Sequence, residues 1–141
     1  MAGEIVLGYD GSACADAALD EAAALARALG TRVVIAYGYG VWVVGGEIGD
    51  QQRIIQGIGE AAAQRAVERL AAAGVEAEAA VVPVRPWAAI LEVAASREAR
   101  LIVVGSRGEG PVVGALLGSV PYKLLPQATI PVLVVPGPAG P

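Results

Sequence analysis

The chain has 141 residues, a mass of 14.1 kDa and a net charge of −4, with 55% apolar and 17% charged residues. That is enough apolar material for one domain with its own core, and it excludes a wholly disordered chain. The acidic balance and the absence of a basic run exclude nucleic-acid binding that rests on phosphate neutralisation. There is no histidine and a single cysteine, Cys14. Histidine-dependent hydrolytic triads, HExxH and Cys-cluster zinc sites and an internal disulfide are therefore out. No apolar run reaches the ~18 residues of a membrane span, so no membrane association is expected. Met1-Ala2-Gly3-Glu4 carries no basic region ahead of its apolar run, so no leader is expected and the cytoplasm is the expected compartment. Phe is absent, so the core has to be built from Val, Ile, Leu and Ala.

Ile5 to Tyr9 is an apolar run that ends in Asp10-Gly11-Ser12, the chemistry of a turn and a helix N-cap. A buried strand followed by a helix over Ala13 to Leu29 is expected, with Gly30 as its stop. Ala18, Ala22, Leu25 and Leu29 form its apolar face; Asp16, Asp20 and Arg27 lie opposite. Arg32 to Tyr37 reads as a second strand. Gly38 to Gly49 carries five glycines and reads as a long loop containing Trp42. From Asp50 to Ala73 the helical period returns, with Ile55, Ile58, Ala62, Ala66 and Leu70 as the apolar stripe. Gly57 and Gly59 weaken its first half, each by about 1 kcal/mol relative to Ala, and Gly74 closes it.

Val75, Ala77 and Ala79 alternate with Glu76 and Glu78, so Val75 to Val82 reads as a strand with one polar face at a sheet edge. Pro86 opens a third helix that extends to Arg97. Leu101 to Val104 is the short all-apolar run of a central parallel strand. Gly105 to Gly118 is glycine-rich, and a short helix follows from Ser119 until Pro126 stops it. Val132 to Val135 is the last strand. Residues 1–136 read as one domain, and the Pro/Gly-rich end, 137–141, as a flexible tail. Alternating strands and helices imply a doubly wound parallel sheet with helices on both faces, which binds ligands beyond the carboxyl ends of its strands where the strand order reverses.

Two segments fall at such ends. Gly105-Ser106-Arg107-Gly108, nine residues, then Gly118-Ser119 runs from the fourth strand to the start of a helix. Glycines let backbone N–H groups approach an anion, and a helix start adds donors and the positive end of its dipole. Arg107 adds charge and Ser119 a hydroxyl. The same spacing also suits a plain connection before a capped helix. Asp10 is suited to accept hydrogen bonds from ribose hydroxyls or an adenine amino group; it is equally suited to closing the turn ahead of the first helix.

Together these segments are similar to the universal stress protein family, in particular its ATP-binding branch. The resemblance runs from Ile5 to Val135 and rests on Val6 to Ser12, Leu101 to Gly108, Gly118-Ser119-Val120 and Pro131 to Val135. The family's signature G-x2-G-x9-G-S/T is filled at every position. The resemblance implies a five-stranded sheet of order 3-2-1-4-5, of the Rossmann-like, adenine nucleotide alpha hydrolase-like type. It implies that Asp10 meets the ribose or adenine, that Gly38 meets the base through its backbone, and that Gly105, Arg107 and Gly108 line the ribose and phosphates. Gly118, Ser119 and Val120 would hold the phosphate tail, and Gly8, Tyr9, Gly11, Ser12 and Val104 would complete the lining.

The implied function is a stress-response sensor that binds ATP with Mg²⁺ or Mn²⁺. It would hydrolyse ATP slowly or not at all, and would pair as a homodimer through Pro131 to Val135. No residue set is built for fast hydrolysis: there is no histidine, and no lysine in the glycine-rich loop. The chain departs from the family pattern at Tyr37, Val84, Pro121 and Pro126. Pro121 removes an N–H and a hydroxyl where a small polar residue is usual, which leaves AMP, ADP or cyclic AMP as alternatives to ATP. Two other readings stay open, a dimeric interaction module without nucleotide and an enzyme of the wider fold.

Overall fold

The computed structural model describes residues 3–40, 49–108 and 117–137. The elements along them are β1 (Ile5–Gly8), α1 (Ala13–Leu29), β2 (Val33–Gly38), α2 (Gly49–Ala72), β3 (Ala77–Val82), α3 (Pro86–Ser96), β4 (Leu101–Gly105), α4 (Ser119–Leu124) and β5 (Val132–Val135). The loop residues 41–48, with Trp42, and the tail residues 138–141 lie outside the described residues. So does most of the connection between Gly108 and Gly118.

The strands form one sheet of order β3-β2-β1-β4-β5, every neighbouring pair parallel. This is the order the family resemblance implies. β1 sits at its centre because both faces of Ile5-Val6-Leu7 are apolar and fully buried. Ile5 and Leu7 pack into the layer built with α1 and α2, and Val6 into the layer with Ile90, Val93 and Leu124 of α3 and α4. Helices therefore cover both faces. β1 is flanked by β2 on one side and β4 on the other, which makes the β1–β4 boundary the point where the order reverses.

α1 begins and ends where its capping residues require. The Ser12 hydroxyl accepts from the Ala15 N–H at 3.2 Å, and Gly30, at φ +65°, donates to the Ala26 carbonyl. Its buried stripe is Ala15, Ala18, Leu19, Ala22, Ala23 and Ala26, while Leu25 and Leu29 are half-buried at its edge. Ala18 and Ala22 are thus buried as expected, while alanines rather than Leu25 and Leu29 make up most of the buried stripe.

α2 departs further. Ala62, Ala66 and Leu70 are buried as expected, but Ile58 is 60% exposed, Ile55 is at the surface, and Gly59 is buried in their place. A Cβ at Gly59 would lie 2.7 Å from the Tyr37 ring, so that glycine is what lets the helix close over β2. β3 is the sheet edge, as expected. Its alternation fades past Glu78, since Ala79 is exposed and Val81 and Val82 are half-buried.

At the amino-terminal end of the sheet, Glu4 is held by Arg32 at 2.5 Å and Arg97 at 3.0 Å. The same two arginines reach Glu78 at 3.0 and 2.7 Å. This network ties β1, β2, β3 and the end of α3 together on the side opposite the carboxyl ends of the strands.

Candidate functional site

The carboxyl ends of β1 and β4 open into a cleft lined by residues of three strands, three helices and the turns between them. Its shape starts from glycines. A Cβ at Gly8 would lie 2.5 Å from the Ile90 side chain and 2.9 Å from Val104, so any other residue there would fill the floor. A Cβ at Gly105 would lie 2.8 Å from the backbone of Cys14. That glycine brings the end of β4 against the first turn of α1.

Between the two strands, Asp10 closes a tight turn. Its Oδ1 accepts the Ser12 N–H at 2.9 Å, and Gly11 at φ +83° supplies the left-handed residue the turn needs. Its Oδ2 lies 2.7 Å from where a Cβ at Gly108 would stand. The glycine-rich turn of β4 thus passes directly beside the Asp10 carboxylate. Asp10 is therefore the turn-closing residue of the first reading and, at the same time, a lining residue of the cleft.

Of the residues singled out from the sequence, Gly8, Tyr9, Asp10, Val104, Gly105, Arg107, Gly108 and Val120 line this cleft. Gly11 and Ser12 stand behind it in the turn and cap. Gly38 stands beside it: a Cβ there would meet the Pro86 Cα at 2.7 Å and the Val84 carbonyl at 2.8 Å, so its smallness seats the start of α3 on β2. Gly118 and Ser119 also fall outside the lining. The Gly118 N–H donates to the Ser106 carbonyl at 2.7 Å, and a Cβ there would lie 2.9 Å from the Arg107 Cα.

The Tyr9 hydroxyl faces α1, where it donates to Asp16 Oδ1 at 2.7 Å. Burial first, and then this bond to a carboxylate, push its pKa up to about 12.

Ala15, Ala36, Pro86, Ile90 and Pro121 also line the cleft, and none was singled out as a site residue from sequence. Pro121 carried a signal as a departure from the family pattern. The other four carry none, because they are ordinary apolar residues of a strand end and two helices. Only their convergence makes them a wall.

Across the sheet this wall has a direction. Ala36 and Pro86 stand over β2, Asp10 over β1, and Gly105, Arg107 and Gly108 over β4, with neighbouring strands about 4.8 Å apart. The cleft thus has an apolar end, an acceptor at its middle and a single guanidinium at its far end, a layout suited to an elongated ligand with a flat apolar group and an anionic group. Among the described residues no three acidic or cysteine side chains converge as a metal site.

Residues 1–136 match the model of the universal stress protein family. A curated relative from Thermus aquaticus, "Universal stress protein in QAH/OAS sulfhydrylase 3'region", is 38% identical over 133 residues, 93% of this chain and 96% of that protein. Among solved structures, a universal stress protein in complex with cAMP is 31% identical, covers 97% of this chain and 98% of its own, and superposes with a TM-score of 0.74. The universal stress protein from Archaeoglobus fulgidus in complex with dAMP shares the fold at a TM-score of 0.68 and 22% identity, covering 96% of this chain and 97% of its own. Among the described residues no helix is long and apolar enough to cross a membrane.

Proposed function

Because this chain belongs to the universal stress protein family, we propose that it is a regulatory domain that binds an adenine nucleotide in the cleft between β1 and β4. The observation that carries this reading is the Asp10 carboxylate beside the glycine turn Gly105–Gly108, at the point where the strand order reverses. The base lies against Ala36, Pro86 and Ile90, the ribose hydroxyls donate to Asp10, and the phosphate meets Arg107 and the backbone at Gly108. The relative 31% identical to this chain has cAMP bound, which supports an adenine nucleotide as the ligand class. The cleft's described lining holds no histidine or lysine to activate a water, so the reading is occupancy rather than turnover. In the same reading a second copy pairs along the open edge of β5, whose all-apolar residues are only half-buried in one chain. Light scattering should then return twice the 14.1 kDa of the chain.

The test is calorimetric titration of the nucleotide-stripped protein with AMP, cyclic AMP, ATP and, as a control, GMP. Micromolar binding of an adenine nucleotide with no binding of GMP is the expected result. No binding of any adenine nucleotide would sink the reading and favour an interaction module.

A further inference from the structure

Resting on the nucleotide reading, we propose that Asp16, a residue outside the cleft lining, is a positioning residue for it. Its carboxylate holds Tyr9, and with Tyr9 the turn that carries Asp10, while Arg69 of α2 fastens that carboxylate from the other side.

The turn Asp10-Gly11-Ser12 joins β1 to α1 and carries the acceptor of the cleft. Packing does not hold its tip, since nothing lies within 4 Å of a Cβ built at Gly11. Hydrogen bonds hold it, and two of them meet on Asp16. The Asp16 N–H donates to the Ser12 carbonyl at 2.9 Å, which ties the far end of the turn to the helix. The Asp16 Oδ1 accepts the Tyr9 hydroxyl at 2.7 Å, which ties the near end to the same residue. On the strand side the Tyr9 N–H donates to the Ala36 carbonyl at 3.2 Å. Tyr9 is thus pinned to β2 by its backbone and to α1 by its side chain, and Asp10 is the next residue along.

Asp16 is itself held. The same Oδ1 lies 3.0 Å from Arg69 Nη1. Arg69 Nη2 donates to both carboxylate oxygens of Asp20, one turn further along α1, at 2.9 and 3.1 Å. A guanidinium is a rigid planar fork, so one that grips two carboxylates restrains both. The chain of contacts therefore runs from α2 through α1 to the wall of the cleft. An acid in the first turn of α1 also suits the helix dipole, but that role needs neither the phenol nor the arginine from α2.

The experiment measures AMP affinity by calorimetry on the whole native chain, Asp16→Ala, Tyr9→Phe, the double variant and Asp16→Asn. Asp16→Ala should weaken AMP by about tenfold, the scale of one hydrogen bond to a charged group. Tyr9→Phe keeps the ring, removes only the hydroxyl and should weaken AMP by a similar factor; it also serves if the alanine variant fails to give a native melting transition. Because both remove the same link, the double variant should lose no more than about twofold beyond Asp16→Ala. Asp16→Asn keeps an acceptor for the hydroxyl and should recover most of the loss. Glu4→Gln, at the opposite end of the sheet, controls for lost stability alone and should leave AMP affinity unchanged.

AMP affinity within about twofold of native in both Asp16→Ala and Tyr9→Phe, less than one hydrogen bond is worth, overturns the positioning role and leaves the nucleotide reading standing. Losses that multiply in the double variant, or an Asp16→Asn variant as weak as Asp16→Ala, overturn the bond between hydroxyl and carboxylate as the means. A native chain that binds no adenine nucleotide overturns the nucleotide reading, and the positioning role with it.

Discussion

Asp10 has two duties on one carboxylate. Oδ1 holds the turn by accepting from Ser12, and Oδ2 lies directly beside Gly108. Truncating it to alanine would remove both and confuse loss of ligand with loss of the turn. Asp10→Asn keeps an acceptor for the Ser12 N–H and removes the charge. Binding of AMP should weaken by about tenfold to a hundredfold, the scale of a charge-assisted hydrogen bond, while the melting temperature stays within about 2 °C, since an Asn in such a turn costs little. Unchanged affinity by calorimetry would remove Asp10 from the site. Gly118 illustrates the opposite case. Because a Cβ there meets the backbone of Ser106 and Arg107 at 3.0 and 2.9 Å, a bulky residue at 118 displaces the turn itself, and lost binding in such a variant would not identify a ligand contact.

The long helix α2 separates two glycines that look alike in sequence. Nothing lies within 4 Å of a Cβ built at Gly57, whereas one at Gly59 meets the Tyr37 ring at 2.7 Å. Gly57→Ala should therefore collect the full helical preference and stabilise the fold by about 0.5–1 kcal/mol. At Gly59→Ala the same preference competes with overpacking that typically costs about 1–3 kcal/mol, so the net change should be destabilising. The urea midpoints of the two variants should move in opposite directions. If both rise, the packing of α2 on β2 through Tyr37 is not as described. Ile55 and Ile58, exposed at 36% and 60%, show why period alone misplaced the first part of this face. The helix rolls so that its smallest residue, not its largest, meets the aromatic ring.

Across the whole molecule, the ion-pair network and the cleft occupy opposite ends of the sheet, so they should fail independently. Burial pushes the Glu4 carboxyl up, but hydrogen bonds and charge from Arg32 and Arg97 outweigh it and hold it below its ordinary 4.5. A carboxyl with a lowered pKa in the folded state stabilises the fold above its unfolded value and loses that contribution as pH falls through the folded one. The melting temperature of the native chain should thus drop between about pH 5 and pH 3. In Glu4→Gln that drop should be shallower, with AMP affinity at neutral pH unchanged. Parallel pH profiles for the two proteins would show that Glu4 contributes nothing to acid sensitivity.

Local chemistry determined a large part of this protein. The turn and cap Asp10-Gly11-Ser12, the stop at Gly30, the proline that opens α3 and the all-apolar runs of β1 and β4 place elements wherever the backbone's own preferences and the two-sided burial of parallel strands leave few choices. The strand order came through family resemblance, because element periodicity carries no information about which strands are neighbours. Tertiary structure alone decided that Gly59 rather than Ile55 and Ile58 is buried in α2, that Gly38 and Gly105 serve close packing, that the Tyr9 hydroxyl turns to Asp16, and that Ala36, Pro86 and Ile90 wall the cleft. The physical reason is common to all of these. Each depends on the distance between groups far apart in the chain, and a few tenths of an ångström there decide whether a methyl group fits, whereas period and capping depend on neighbours within a turn.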